Sequence, residues 1–99
     1  MKKMITLQED AHLETGTYRL PTEDGKPSIY VLDGAWYQAF ASDQHGAKYM
    51  VFWTIREDFD ADSGDESDAC NWVTPRAIVY LDDDYSPIKD VSAEVQIVF

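Results

Sequence analysis

Cysteine is nearly missing from this chain of 99 residues, where a lone Cys70 has no internal partner; that excludes a disulfide scaffold and agrees with a reducing compartment. Long apolar runs are missing as well. Nothing approaches the roughly 18 consecutive apolar residues of a membrane span, and Lys2 and Lys3 precede no apolar stretch of signal-peptide length. The expected location is therefore the cytoplasm. Recognisable chemistry is equally scarce: there is no His-x-Glu or Cys-x-x-Cys metal spacing and no glycine-rich phosphate loop. Seven carboxylates crowd the stretch before Cys70 and would raise its thiol pKa, which makes it a poor nucleophile. The sequence points to no enzyme and no cofactor.

Positive charge is the other shortage. Eight lysines and arginines face nineteen aspartates and glutamates, for a net charge of −11. Residues 1–50 carry five basic and seven acidic groups, whereas residues 51–99 carry three basic and twelve acidic ones. Proteins that bind nucleic acid directly displace phosphate counterions with cations, so direct nucleic-acid binding is not expected, nor is docking on an anionic membrane. The imbalance favours solubility, rapid encounter with a basic partner, or a cation site.

What is present is enough to fold. Apolar residues make up 44% and aromatics 13% of the chain, and the length suits a single acidic domain over residues 1–99. Thr6 stands three residues before Glu9 in capping-box spacing, with Leu7 and Ala11 at helical offset and Gly16 beyond, which predicts a short helix over residues 7–14. After it come β-branched and aromatic runs at 17–20, 28–32, 35–41, 47–55, 77–81 and 91–99, separated by turn chemistry. The expectation is an α+β fold: a mainly antiparallel, meander-like sheet of about five to six strands with one or two short helices. Asp33-Gly34 reads as a turn, or as a bulge inside one long strand.

Two runs have informative faces. Val91, Ala93, Val95, Ile97 and Phe99 alternate with mostly polar residues and should line a core. Tyr49, Val51, Trp53 and Ile55 share one face, but Met50 and Phe52 make the opposite face apolar too, and something must cover it: the N-terminal helix, a partner or a second copy. Trp36, Tyr37, Tyr49 and Trp53 are expected in the core rather than on a binding platform.

Between the strands at 47–55 and 77–81 lies a connector of about 20 residues, long enough to suggest function. Ser63 and Glu66 have capping-box spacing, so a helical turn is expected over residues 64–70, and Trp72 is expected to fold back and tie the connector down. Asp58, Asp60 and Asp62 begin like a calcium loop, yet Gly64 comes one place late and Ala69 stands where the bidentate glutamate belongs. A weak calcium site is a lesser reading and no metal ligand is assigned. The larger pattern is electrostatic. Glu57, Asp58, Asp60, Asp62, Asp65, Glu66 and Asp68 form one cluster, Asp82, Asp83 and Asp84 a second. In an extended segment Asp58, Asp60 and Asp62 would project at intervals of roughly 6.6 Å, twice the strand rise, imitating a row of phosphates.

In composition the chain is similar to phage-borne inhibitors and bacterial immunity proteins. The function expected is that of an acidic nucleic-acid mimic: a non-enzymatic protein whose ten carboxylates at 57–68 and 82–84 occupy the basic, nucleic-acid-binding surface of a partner such as a nuclease. The alternative is a structural or regulatory homodimer whose charge only maintains solubility.

Overall fold

The structure is a computed structural model that describes residues 2–57, 59, 64 and 69–98, with the backbone alone for 27–30. The described residues form seven strands: β1 (Lys3–Leu7), β2 (His12–Pro21), β3 (Pro27–Ser42), β4 (Lys48–Thr54), β5 (Ala77–Leu81), β6 (Pro87–Asp90) and β7 (Val95–Val98). They form one sheet in the order β6-β5-β4-β3-β1-β7, with β2 also paired to β3. All pairings are antiparallel except β1 with β7, which is parallel. Among the described residues no helix is present, so the expected α+β fold is incorrect; this is an all-strand, mixed sheet.

The helix expected over residues 7–14 is replaced by the end of β1, a bend and the start of β2. Two turns of isolated helix are marginal in water, whereas the extended chain gains partners on both sides. Lys3 to Thr6 register with Val95 to Val98, and Thr6 and Leu7 with Ser42 and Ala41. Glu9 does not act as a capping residue. Its carboxylate accepts the Phe40 N–H at 3.0 Å while the Gln8 N–H donates to the Phe40 carbonyl at 2.8 Å, so a side chain satisfies β3 where the edge bulges between β1 and β2. The helical turn expected over 64–70 falls largely outside the described residues; Ala69 and Cys70 form a bend. At the other end, residues 91–99 are not one strand. Val91 ends the run after β6, the Glu94 N–H donates to the Val91 carbonyl at 2.8 Å to close a turn, and Ala93 is exposed there. Phe99 lies outside the described residues.

Asp33-Gly34 sits inside one 16-residue strand, and pairing with β2 continues through it without a register shift. Gly34 has φ 90° and lies directly opposite Gly16, with φ 122°. L-residues rarely adopt such values, so the glycine pair lets both strands bend at one level. The distal half of the β2–β3 hairpin then lies across the sheet and reaches β6, where the Asp90 N–H donates to the Thr22 carbonyl at 3.0 Å.

That fold-over explains the two apolar faces of β4. On one face Tyr37, Ala39, Tyr49, Val51, Trp53 and Ile78 pack with Ile5, Cys70, Val91, Val95 and Ile97; on the other Trp36, Phe52, Ala77, Val79 and Leu81 pack with Leu20 and Leu32. Phe52 is fully buried and Tyr18 stacks against it with ring centroids 4.8 Å apart. The chain itself covers the face of Met50 and Phe52, with a hairpin rather than a helix. Burying side chains of this size is worth about 1.5–3 kcal/mol each.

Candidate functional site

Three hairpin loops are built alike, and one carries the second acidic cluster. In residues 22–26, 43–47 and 82–86 the first residue's N–H donates to the fifth residue's carbonyl, and the fourth residue's N–H donates back to the first residue's carbonyl. The fourth residue has positive φ in each: Gly25, Gly46 and Tyr85. This is a type I turn closed by a left-handed residue. In the last loop Asp82 Oδ1 accepts the N–H groups of Asp84 and Ser86, both at 2.9 Å. Asp82 is therefore a turn builder, a role that its position ahead of Pro87 hinted at. Asp83 and Asp84 are exposed, and Asp83 has Lys48 Nζ at 3.5 Å.

Tyr85 takes the left-handed position at φ 64°, which a bulky residue seldom adopts. The residue stays 56% exposed, and its ring meets Phe40 edge to face at 5.4 Å and lies 5.4 Å beneath Lys48 Nζ. Together with Gln8, Glu9, Ser42 and Gly46 these residues line an open groove of about 690 Å³. The sequence reading missed both Tyr85 and Phe40 as surface features, because a tyrosine after three aspartates reads as turn filler and Phe40 as a core position of its strand.

The root of the segment that carries the first acidic cluster lies at the opposite end of β5. The Arg56 N–H donates to the Ala69 carbonyl at 2.7 Å, and the Phe59 N–H to the Arg56 carbonyl at 3.1 Å. Ala69 and Cys70 are buried in the main core. Trp72, as expected, folds back: its carbonyl accepts Trp53 Nε1 at 3.0 Å and its ring meets Tyr37 and Trp53 edge to face. The segment 57–68 is thus tied at its root. Glu57 is exposed, while Asp58, Asp60, Asp62, Asp65, Glu66 and Asp68 lie outside the described residues, as does most of the calcium-like stretch. The roots of the two segments lie apart, since Phe52 pairs with Ala77 at one end of β5 and Lys48 with Leu81 at the other, roughly 13 Å away at the strand rise.

Other polar groups are structural. Asp43 has a fully buried side chain that accepts the His45 and Ala47 N–H groups at 2.8 and 3.0 Å and the Tyr49 hydroxyl at 3.0 Å, with Lys3 Nζ at 3.6 Å. Burial opposes its charge, but the two amides, the Tyr49 hydroxyl and the Lys3 ammonium outweigh that and hold the carboxyl below its ordinary range. Burial and the neighbouring Asp43 push the Tyr49 phenol up to about 12. Cys70 is buried, and burial raises its thiol pKa. Trp36, Tyr37, Tyr49 and Trp53 are all at most 5% exposed, which makes them core and not a platform. Among the described residues no group of three or more His, Cys, Asp or Glu side chains is gathered as a metal would require, and no helix is long and apolar enough to cross a membrane.

No family model matches this chain. Comparison with curated proteins and with solved structures likewise finds no match.

Proposed function

We propose that this is a non-enzymatic, cytoplasmic interaction protein that occupies the basic, nucleic-acid-binding surface of a partner protein, as an inhibitor of phage anti-defence or nuclease-immunity type does. The observation that carries the reading is the juxtaposition at the β5–β6 turn: Asp83 and Asp84 stand exposed beside a groove floored by Phe40 and the half-exposed Tyr85. Binding energy at interfaces concentrates in aromatic anchors, and surrounding charge sets encounter rate and partner choice. Lys48 makes this pairing within the chain, its Nζ 5.4 Å over the Tyr85 ring and 3.5 Å from Asp83; a lysine or arginine of the partner that displaces it meets the same aromatic face and carboxylate, a favourable pairing for a cation. The seven carboxylates between Glu57 and Asp68, uninterrupted by any lysine or arginine, add long-range attraction for the same sign of partner. The homodimer alternative began from the apolar face of Met50 and Phe52, which the folded hairpin occupies.

The test is kinetic. Each exposed carboxylate contributes below about 1 kcal/mol, so single changes are uninformative. Changing Asp58, Asp60, Asp62, Asp65 and Asp68 to Asn with Glu66→Gln should slow association with a basic nuclease or nucleic-acid-binding complex and flatten its salt dependence. Tyr85→Ala should instead speed dissociation. Wild-type association and salt slope in the first variant, from protein that folds normally, would reduce the acidic segment to a solubilising surface.

A further inference from the structure

Among the described residues the sheet has three open edges, and two of them are guarded against further pairing. β2 carries Glu14, Gly16, Arg19 and Pro21, and β6 carries Pro87, Lys89 and Asp90 besides its contact with the hairpin tip. Charge and proline at an edge are the usual defences against added strands. β7 has none of these, since Val95, Gln96, Ile97 and Val98 include no charge, proline or glycine. It pairs with β1 alone among the described residues. The Glu94 carbonyl accepts the Lys3 N–H at 3.0 Å, so alternation along the strand turns the backbone N–H and C=O groups of Val95 and Ile97 to the outer edge.

Beside that edge runs a groove of about 360 Å³ whose lining includes Val73, Thr74 and Pro75 on one wall and Ile78, Val95 and Ile97 toward the core. Val73 is 74% exposed, the most exposed of the large apolar side chains described. An open edge with a neighbouring apolar trough is the arrangement by which a sheet accepts an added strand: backbone groups pair with the edge and alternate side chains enter the trough.

We propose that the outer edge of β7 and this groove take up an extended segment of a cationic partner protein by strand addition. The choice of occupant rests on charge and, through it, on the function proposed above. The groove lining holds Lys2 but no carboxylate, so an apolar strand enters without burying a negative charge. Two copies of a chain with net charge −11 repel one another, whereas an apolar strand flanked by lysines or arginines is attracted to it.

The experiment uses the full chain and the peptide Lys-Lys-Val-Thr-Val-Thr-Val-Lys-Lys, with a counterpart bearing glutamate in place of each lysine. Amide hydrogen exchange is followed by NMR at low salt. The lysine-flanked peptide should slow exchange of the Val95 and Ile97 amides at least tenfold, and the glutamate-flanked one should have little effect. Thr74→Arg, placed on an exposed wall of the groove, should abolish the slowing while leaving the thermal midpoint unchanged. Unaltered exchange at a saturating concentration of the lysine peptide overturns the proposal. So does equal slowing by both peptides, which removes the charge argument, or slowing that grows with protein concentration alone, which makes the occupant a second copy. The place of slowing, at the Val95 and Ile97 amides, is read separately from Tyr85 and from the kinetics of the loop-neutralised variant. Slowed β7 amides together with wild-type association kinetics in the loop-neutralised variant would therefore retain the edge site and refute the acidic-mimic function.

Discussion

Asp43 is the residue whose loss should be most visible in solution. Its Oδ1 collects the His45 and Ala47 amides and its Oδ2 the Tyr49 hydroxyl, all at 3.0 Å or less, and none of the side chain reaches solvent. Hydrogen bonds to a charged group are worth about 1.5–3 kcal/mol apiece. Asp43→Ala leaves two loop amides and a buried phenol without an acceptor. The loop can recover water for its amides but the Tyr49 hydroxyl is sealed in, so the net loss should be about 2–4 kcal/mol. For a domain of this size that is a fall in Tm of the order of 10–25 °C. Asp43→Asn keeps the Oδ1 acceptor and should lose only about 1 kcal/mol. Urea unfolding with an unchanged m-value is the assay; a loss below about 0.5 kcal/mol for Asp43→Ala, within the range of ordinary surface substitutions, would refute the reasoning.

The same site sets the pH response. The folded-state pKa of Asp43 is depressed below the unfolded value of about 3.9, so its contribution is fully present above that value and is lost as pH falls through the folded pKa. The Tyr49 phenol is raised to about 12, so the neutral form is the one the fold prefers. Stability should hold below the ordinary tyrosine pKa of about 10 and fall as pH climbs from there toward the folded value. Unfolding free energy measured against pH should show both limbs, with Asp43→Asn flattening the acid limb and Tyr49→Phe the alkaline one.

Gly34→Ala meets no atom within 4 Å but must hold φ 90°, so it should cost about 1–2 kcal/mol from backbone strain alone. Gly25→Ala, whose added Cβ would come within 2.8 Å of the Ile88 carbonyl oxygen, should cost more, and urea midpoints will rank the two. Cys70 should react with a thiol reagent at a rate limited by opening of the protein, because its sulfur is buried and burial raises its pKa; reaction at the rate of a free thiol would contradict that. Trp53→Ala, at a side chain 1% exposed, should cost about 3–5 kcal/mol by calorimetry or urea unfolding.

Legibility in the sequence followed the range of the interaction that decides each element. β5 is found at residues 77–81, where a compact β-branched run lies between turn residues. The division of β4 into Tyr49, Val51 and Trp53 against Met50 and Phe52 is equally readable, because period-two alternation is local. Residues 7–14 misled because Thr6 and Glu9 satisfy a capping pattern that only β3, some thirty residues on, overrides. The sequence 91–99 misled in the same way: its alternation is sound at Val95 and Ile97, but Val91 is claimed by Ile78 of β5 through a 2.8 Å backbone bond. At the candidate site the aspartates were visible by composition alone. Their division of labour was not, because the role of Asp82 as turn builder and of Asp83 and Asp84 as exposed charge depends on loop geometry.

The hairpin fold-over also constrains where the proposed recognition can take place. A sheet apolar on both faces needs two covers, and here β7 and the connector residues Ala69 and Cys70 serve one face while Leu20 and Leu32 serve the other. Both faces of the central strand β4 are thereby spent on folding, and no broad apolar face of that strand remains for a partner. A partner of the kind proposed would then make contact at the rim, where the backbone is unpaired or a loop holds a side chain outward. Tyr85, kept in a left-handed conformation and half exposed by the Asp82 turn, and the unguarded edge of β7 are two such places. Replacing Tyr85 with glycine tests the first without disturbing the second. The loop should close at least as well, since glycine takes φ 64° without strain, and stability should change by the lost ring contacts, about 0.5–1.5 kcal/mol for the edge-to-face contact with Phe40 and about 0.5–1 kcal/mol for the exposed one with Lys48. Affinity for a basic partner should fall by far more than that loss of stability, if the ring is there to be bound. Equal affinity in Tyr85→Gly would assign the ring to covering Phe40.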